Sequence, residues 1–200
     1  MNIISYSVRG LGRGVKWIAI RRMVKKEQID MICIEETKKE NIDKRKCQAL
    51  WWDLEVRWEV QPASNTAGGI LCVWSEETFK LQSKVIGRGF ILLVGQWLKE
   101  AQQVHIVSIY SPCDIHNKRS LWEDIKQLRN SHNGGLWCIL GDFNNVRNPS
   151  ERLGHCQRGE GDNSIKEFND WIEEMEVDDA PWVGRKFTWF RPNGQVFSIS

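Results

Sequence analysis

The chain has 200 residues, 41% hydrophobic and 27% charged, with a formal net charge of +2 at pH 7. These values exclude a disordered or fibrous chain and do not indicate a strongly basic nucleic-acid binder. The length suits one domain over residues 1–200. The N-terminus is too short and too polar for a signal peptide, and no apolar run is long enough to span a bilayer. We therefore expect a soluble, intracellular protein that does not contact a membrane.

Runs rich in β-branched and aromatic residues predict nine strands, at 2–7, 30–35, 55–60, 69–74, 78–86, 90–98, 104–110, 136–141 and 186–190. Apolar residues at helical spacing predict helices over 15–28, 117–130 and 164–176. In the last segment, Ser164 followed by Glu167 predicts an N-terminal capping box. The strands between residues 55 and 110 follow one another directly, whereas the flanks alternate strand and helix. This order favours two packed sheets covered by helices.

The tryptophan, cysteine and basic residues indicate less about structure and function than the strand and helix patterns do. Of the 11 Trp, those in strand-like runs predict core positions, and those on the predicted helices are expected to pack rather than stack on bases. The six cysteines show no Cys-x-x-Cys spacing and mostly lie in apolar runs, which favours buried free thiols over zinc sites or disulfides. The basic stretch over residues 9–26 is compatible with phosphate binding and equally with a solvated helix face.

Polar side chains collect at the predicted strand ends. The segment "LWCILGDFNNV" (136–146) places Asp142 and Asn144 after an apolar run, Glu36 follows the second strand, and Tyr110 ends the seventh. Each position alone is compatible with an ordinary turn, a solvated acid or a core phenol. Together they could meet in one pocket, where Mg²⁺ needs only one or two carboxylates besides water and phosphate oxygens.

Several ordered motifs resemble the endonuclease/exonuclease/phosphatase family. They are "SYSVRGLG", "IDMICIEETK", "GGILCVW", "SIYSPCD", "LWCILGDFNNVRNPSERLG" and "GRKFTWFRPNG". Within that family they look most like the nuclease domain that opens the polyprotein of plant LINE-type, non-LTR retrotransposons. The resemblance implies a four-layered α/β sandwich with two mixed sheets flanked by helices. It also implies a DNA endonuclease that needs Mg²⁺ or Mn²⁺ and works in the nucleus.

The resemblance assigns a role to each candidate residue. Glu36 would bind the metal, Tyr110 would contact the scissile phosphate, Asp142 would orient or deprotonate the attacking water, and Asn144 would hold the phosphate or the metal shell. Ser7 stands where the family usually has Asn, and we therefore expect weaker metal binding. Glu35 stands at a usual Gln position.

The family pattern continues with a Ser-Asp-His motif that residues 1–200 do not contain. We therefore expect a chain with its C-terminal strands missing, inactive by itself, whose full-length relative adds that segment or a reverse transcriptase domain. Two other functions stay open: a catalytically dead remnant with weak nucleic-acid binding, and a phosphatase acting on a small molecule with the same fold.

Overall fold

The computed structural model describes residues 1–12, 14–51, 55–65, 67–151 and 160–180, with the side chains of 160–162 left aside. The predicted strand 186–190, the hairpin turn after it, Trp189 and Cys156 lie outside these residues. The strands are β1 (Ile3–Ser7), β2 (Met31–Glu35), β3 (Arg57–Gln61), β4 (Ile70–Trp74), β5 (Phe79–Gly87), β6 (Phe90–Trp97), β7 (Gln102–Tyr110) and β8 (Leu136–Asp142). The helices are α1 (Val15–Lys26), α2 (Lys44–Trp51), α3 (Ile115–Ser131) and α4 (Glu160–Glu174).

The described residues divide into two compact units. The first comprises Met1–Ser111 with Gly134–Asp142, and the second comprises Pro112–Asn133 with the described residues from Phe143 on. Both sheets, α1 and α2 belong to the first unit, and α3 and α4 belong to the second. The single domain over residues 1–200 stays a prediction.

The first sheet has the strand order β1-β2-β4-β3, with β1 and β2 parallel and the other pairs antiparallel. Helices α1 and α2 cover one face, where residues such as Ile20 and Leu50 pack against Ile34 and Val73. Every residue of β2 and β4 is buried. Strands covered on both faces read as continuous apolar runs, which explains "MICI" and "ILCVW".

The second sheet has the order β5-β6-β7-β8, in which only β7 and β8 are parallel. It packs on the free face of the first sheet through a second core that contains Trp74, Phe79 and Trp97. The Phe79 ring lies 5.8 Å from each of the two indoles. The predicted α/β sandwich of two mixed sheets with helices is therefore confirmed, as are the core positions of these two tryptophans.

In the second unit, α3 and α4 pack through four aromatic rings, those of Trp122, Phe143, Phe168 and Trp171. The Trp171 indole N–H also donates to the Trp122 carbonyl at 3.1 Å. Both tryptophans are buried, so the prediction that they pack rather than present a stacking surface is confirmed.

The predicted capping box is wrong. Helix α4 begins at Glu160, so Ser164 lies inside the helix, and its hydroxyl donates to the side chain of Asn145 at 3.0 Å. Glu167 accepts from Arg119 on α3 instead of returning to a helix N-terminus. These two tertiary partners replace the local hydrogen bonds that define a capping box.

Helix α2 was not predicted. Its apolar positions Cys47, Leu50 and Trp51 are buried at i, i+3 and i+4, but the helix has only eight residues and begins with "KRK". That window is too short to show periodicity. In the described part of the chain, no helix combines the length and the apolar character needed to cross a membrane.

The described cysteines are free. Cys33, Cys47 and Cys72 are buried as predicted, whereas Cys138 is half-buried and Cys113 is exposed. Cys113 differs because it follows the end of β7, in the connection to α3, rather than lying within an apolar strand.

Candidate active site

Four strand ends meet at one edge of the sandwich, within the first unit. Ser7 and Glu35 are register partners at the ends of the parallel strands β1 and β2, and Tyr110 and Asp142 are register partners at the ends of β7 and β8. The Ser7 hydroxyl donates to Asp142 Oδ2 at 3.1 Å, which joins the two sheets at this edge. Parallel pairing thus places the side chains of separate segments together.

Glu35 is a buried acid at this edge, and the sequence did not single it out as functional. Its carboxyl group accepts from Ser5 Oγ, 3.1 Å from each oxygen, and from Ser108 Oγ at 3.0 Å. Burial raises the pKa of Glu35 to about 8; the two serine hydroxyls oppose the shift, and the charge of Asp142 adds to it. Near neutral pH the Glu35 carboxyl is therefore mostly protonated. In that state it resembles the neutral amide of a Gln, the residue that the family pattern has at this position.

Glu36 follows β2 in a left-handed conformation, with φ of 54°. The backbone on both sides is fixed, because Gly10 N–H donates to the Glu36 carbonyl at 2.6 Å and Thr37 N–H donates to the Gly69 carbonyl at 3.0 Å. Such a conformation costs of order 1 kcal/mol or more and persists where the surroundings enforce it. The Glu36 carboxylate forms an ion pair with Lys38 Nζ at 3.0 Å.

Tyr110 lies beside the same loop. A β-carbon built on Gly68 would lie 3.6 Å from the Tyr110 ring, and the Gly68 carbonyl accepts from Lys38 N–H at 2.9 Å. Part of the ring packs on the core between the sheets, while the residue stays partly exposed. A contact of 3.6 Å is ordinary van der Waals packing, so the positive φ of 71° at Gly68, rather than a lack of space, favours glycine beside the phenol.

The glycine before Asp142 is required by the pairing of β7 and β8. Gly141 has φ of 133°, and a β-carbon there would overlap the carbonyl oxygen of Ile109 on β7. One residue later, the Asp142 carbonyl accepts from Ser111 N–H at 2.8 Å. The apolar run therefore ends in glycine because β8 approaches β7 closely just before it presents the carboxylate.

Asn144 belongs to the second unit. It has a left-handed backbone, with φ of 47°, and its carbonyl oxygen accepts from Lys118 Nζ at 2.5 Å. The next residue, Asn145, is buried and exchanges two hydrogen bonds with Ser164, each 3.0 Å long. The phosphate-binding role of Asn144 stays a prediction, as do the roles of Glu36, Tyr110 and Asp142.

The donor types at the edge of the first unit fit a hard divalent cation. Glu36 and Asp142 offer carboxylates and Ser7 offers a hydroxyl, all of them oxygen donors. Among the described residues, no group of three or more His, Cys, Asp or Glu is arranged to hold a metal ion. Mg²⁺ does not require such a group, because it is usually bound through one or two carboxylates and keeps water and substrate phosphates as its other ligands.

No protein-family model and no curated protein matches the chain. Several solved structures, by contrast, are similar to the chain. The AP endonuclease LMAP from Leishmania major is 14% identical with a TM-score of 0.72, over 98% of this chain and 77% of that one. The APE2 catalytic domain of Xenopus laevis is 14% identical with a TM-score of 0.64, over 86% and 67%.

A third similar structure is ANGEL2, a 2',3'-cyclic phosphatase, which is 15% identical with a TM-score of 0.54, over 76% of this chain and 55% of that one. Identities this low establish the fold alone. The similar structures, together with the two mixed sheets and their helices, show that the chain has the endonuclease/exonuclease/phosphatase fold.

Proposed function

We propose that the chain is a phosphodiester hydrolase domain that cleaves DNA and uses Mg²⁺ or Mn²⁺. The observation that carries the proposal is the meeting of Ser7, Glu35, Tyr110 and Asp142 at the ends of two parallel strand pairs, with Glu36 one residue beyond. The fold shared with the AP endonuclease LMAP supports the choice of DNA as substrate.

In this proposal Asp142 activates water. Its Oδ2 is held by the Ser7 hydroxyl, and the carboxylate accepts a proton as the water oxygen attacks phosphorus. The phosphorus–oxygen bond on the opposite side then breaks, and the leaving oxygen takes a proton from solvent. Tyr110 contacts the scissile phosphate from the rim, and Asn144, two residues after Asp142 in sequence, holds the phosphate through its side-chain amide.

Glu36 is the proposed metal residue. When bound, a divalent cation would polarise the phosphate and stabilise the charge that develops there. The ion pair with Lys38 has a consequence for this role, because the positive charge beside Oε1 opposes the binding of a cation to the same carboxylate.

We further propose that the chain derives from a plant LINE-type retrotransposon and acts in the nucleus. The support is the set of ordered motifs in the sequence, which includes "FTWFRPNG" in the part that the structure does not describe. In that setting the full-length relative would carry a reverse transcriptase domain, and the nick in DNA would supply its primer.

The test is nicking of supercoiled plasmid DNA with excess protein, with Mg²⁺ and with a chelator, for the unchanged chain and for Asp142→Ala. Slow nicking that requires the metal and disappears in Asp142→Ala supports the proposal. Equal nicking by the two proteins would remove Asp142 from the reaction. Metal-dependent binding without nicking would favour the catalytically dead remnant.

A phosphatase acting on a small molecule is the second candidate, and the specific observation in its favour is the shared fold with ANGEL2. Release of phosphate from a 2',3'-cyclic nucleotide by the unchanged chain, lost in Asp142→Ala, would favour it if plasmid nicking is absent.

A further inference from the structure

Lys118 is a buried lysine in the second unit that the proposed reaction does not use. It lies on α3 with 3% of its surface exposed, and its ammonium group donates to the Asn144 carbonyl at 2.5 Å. Lysine is almost never this buried without partners, because removing an ammonium group from water is costly. The buried charge therefore marks the Asn144 carbonyl as a contact that the fold maintains.

The segment that follows Asn144 is held by further hydrogen bonds. Asn144 itself is left-handed, and Asn145 is held by its two hydrogen bonds to Ser164 on α4. Two residues later, the Arg147 guanidinium donates to Asn169 Oδ1 at 2.9 Å, and the Asn169 amide donates to the Arg147 carbonyl at 3.0 Å. These contacts, together with the bond from Lys118, restrain the backbone at and after Asn144.

We propose that Lys118 is a positioning residue, which fixes the backbone of Asn144 so that the side-chain amide of Asn144 is presented to the substrate phosphate. The inference rests on the proposed function, since it assumes that Asn144 contacts phosphate. Lys118 acts through the Asn144 carbonyl and does not itself touch the substrate. Without the ammonium group, the left-handed backbone loses the hydrogen bond that offsets its strain, and the amide direction is no longer fixed.

The chain offers a matched control on the same helix. Lys126 is also on α3, but its ammonium group forms an exposed ion pair with Glu174 at 2.5 Å. Lys118→Met and Lys126→Met therefore remove the same charge from one helix, and only the first removes the donor to Asn144. Any effect of net charge on DNA binding appears in both variants.

The experiment is a double-mutant cycle with Lys118→Met and Asn144→Ala. The readout is the affinity for a labelled DNA duplex with phosphorothioate linkages, measured by fluorescence anisotropy with Mg²⁺ present. We expect Lys118→Met to weaken binding about tenfold in the unchanged chain, the effect of one charge-assisted hydrogen bond. In the Asn144→Ala background we expect a change below about twofold, since the group that Lys118 positions is gone.

Hydrogen exchange supplies a readout independent of DNA. Amides of residues 143–147 should exchange faster in Lys118→Met than in Lys126→Met, and Lys118→Arg, which keeps a cationic donor, should restore part of the protection. If Lys118→Met does not fold, Lys118→Gln takes its place in the cycle, because its amide is a shorter and neutral donor.

The outcomes separate the two proposals. If the unchanged chain does not bind DNA, the proposed function fails, and this inference fails with it. If the chain binds but the effects of Lys118→Met and Asn144→Ala simply add, or if Lys126→Met weakens binding equally, Lys118 is not a positioning residue and the proposed function stands.

Discussion

Glu35 combines full burial with a carboxyl group that accepts hydrogen bonds from the hydroxyls of Ser5 and Ser108. Its pKa is raised to about 8, from an ordinary value of 4.5 that also applies to the unfolded chain. Between pH 4.5 and pH 8, therefore, Glu35 is protonated in the folded state and ionised in the unfolded state. The contribution of Glu35 to the free energy of unfolding is therefore fully present below pH 4.5, falls as pH rises from 4.5 to 8, and levels off above pH 8.

The first prediction follows from this pH dependence. Glu35→Gln keeps the shape and removes the titration, so the variant should gain stability relative to the unchanged chain as pH rises from 5 to 8.5, by on the order of 3 kcal/mol. Thermal melting followed by circular dichroism, with a chelator present, measures the difference. Glu40→Gln, at an exposed position, should show no such trend. A constant difference between Glu35→Gln and the unchanged chain across this range would mean that Glu35 is ionised in the fold.

The second prediction concerns the metal. Ser7→Asn adds an amide oxygen at the end of β1, beside the carboxylates, and should raise the affinity for Mg²⁺, whereas Glu36→Gln removes a charged ligand and should lower it about tenfold or more. Isothermal titration calorimetry gives both affinities. Asp43→Asn, an exposed acid before α2, serves as the control for charge alone. The same affinity in all of these proteins would place the metal elsewhere.

The sequence indicated some of these residues and missed others for a physical reason. Glu36, Tyr110 and Asp142 could be selected as candidates because each stands at the end of a locally recognisable apolar run. The environment of Glu35 could not be predicted, since it depends on bringing β1, β2 and β7 together so that Ser5 and Ser108 meet one carboxyl group. The available signals were single serines inside the apolar runs "NIISYS" and "VHIVSIY".

At the scale of single elements, the strands were easier to predict than the helices. Each predicted strand in the described residues is present, because a buried strand is encoded in a short run of β-branched and aromatic side chains. Helix α2 was missed because eight residues are too few to show periodicity. The start of α4 was missed because Ser164, which locally resembles an N-cap, lies within the helix and bonds to Asn145. The local motif at 164–167 therefore predicted a helix start at a position that lies inside α4.

The third prediction tests the pairing of β7 with β8. Gly141→Ala should destabilise the fold by on the order of 3 kcal/mol or more, since the new β-carbon overlaps the Ile109 carbonyl in a conformation that L-residues rarely adopt. Gly134→Ala is the matched control. Its φ of 71° is also positive, but nothing lies within 4 Å of the added carbon, so only the backbone cost of about 1 kcal/mol remains.

Chemical denaturation monitored by tryptophan fluorescence compares the two glycine variants. A larger loss for Gly141→Ala identifies the close approach of the strands as the reason for glycine there. Equal losses in the two variants would mean that the positive φ alone requires glycine before Asp142.

At the scale of the whole molecule, the α/β sandwich could be predicted and the strand order could not. Consecutive strands over 55–110 with helices on the flanks indicate two sheets, and the family motifs agree. In the first sheet β2 pairs with β4, although β3 lies between them in the chain, and in the second sheet β7 pairs with β8, although α3 separates them. Such crossovers follow from long-range packing that no local pattern encodes.

The last prediction concerns the reaction that residues 1–200 can perform. Asp142 can orient water, but the charge that builds up on phosphorus also needs a stabilising partner, and this sequence contains no Ser-Asp-His motif to supply one. Losing one such contributor typically costs about 10²–10³ in rate. We therefore expect plasmid nicking by residues 1–200 to be slower by about that factor than nicking by a chain extended through an Asp-His strand. Comparable rates that both disappear in Asp142→Ala would contradict this expectation. The charge would then have to be stabilised by groups already present in residues 1–200, such as Lys38, which forms an ion pair with the proposed metal residue Glu36.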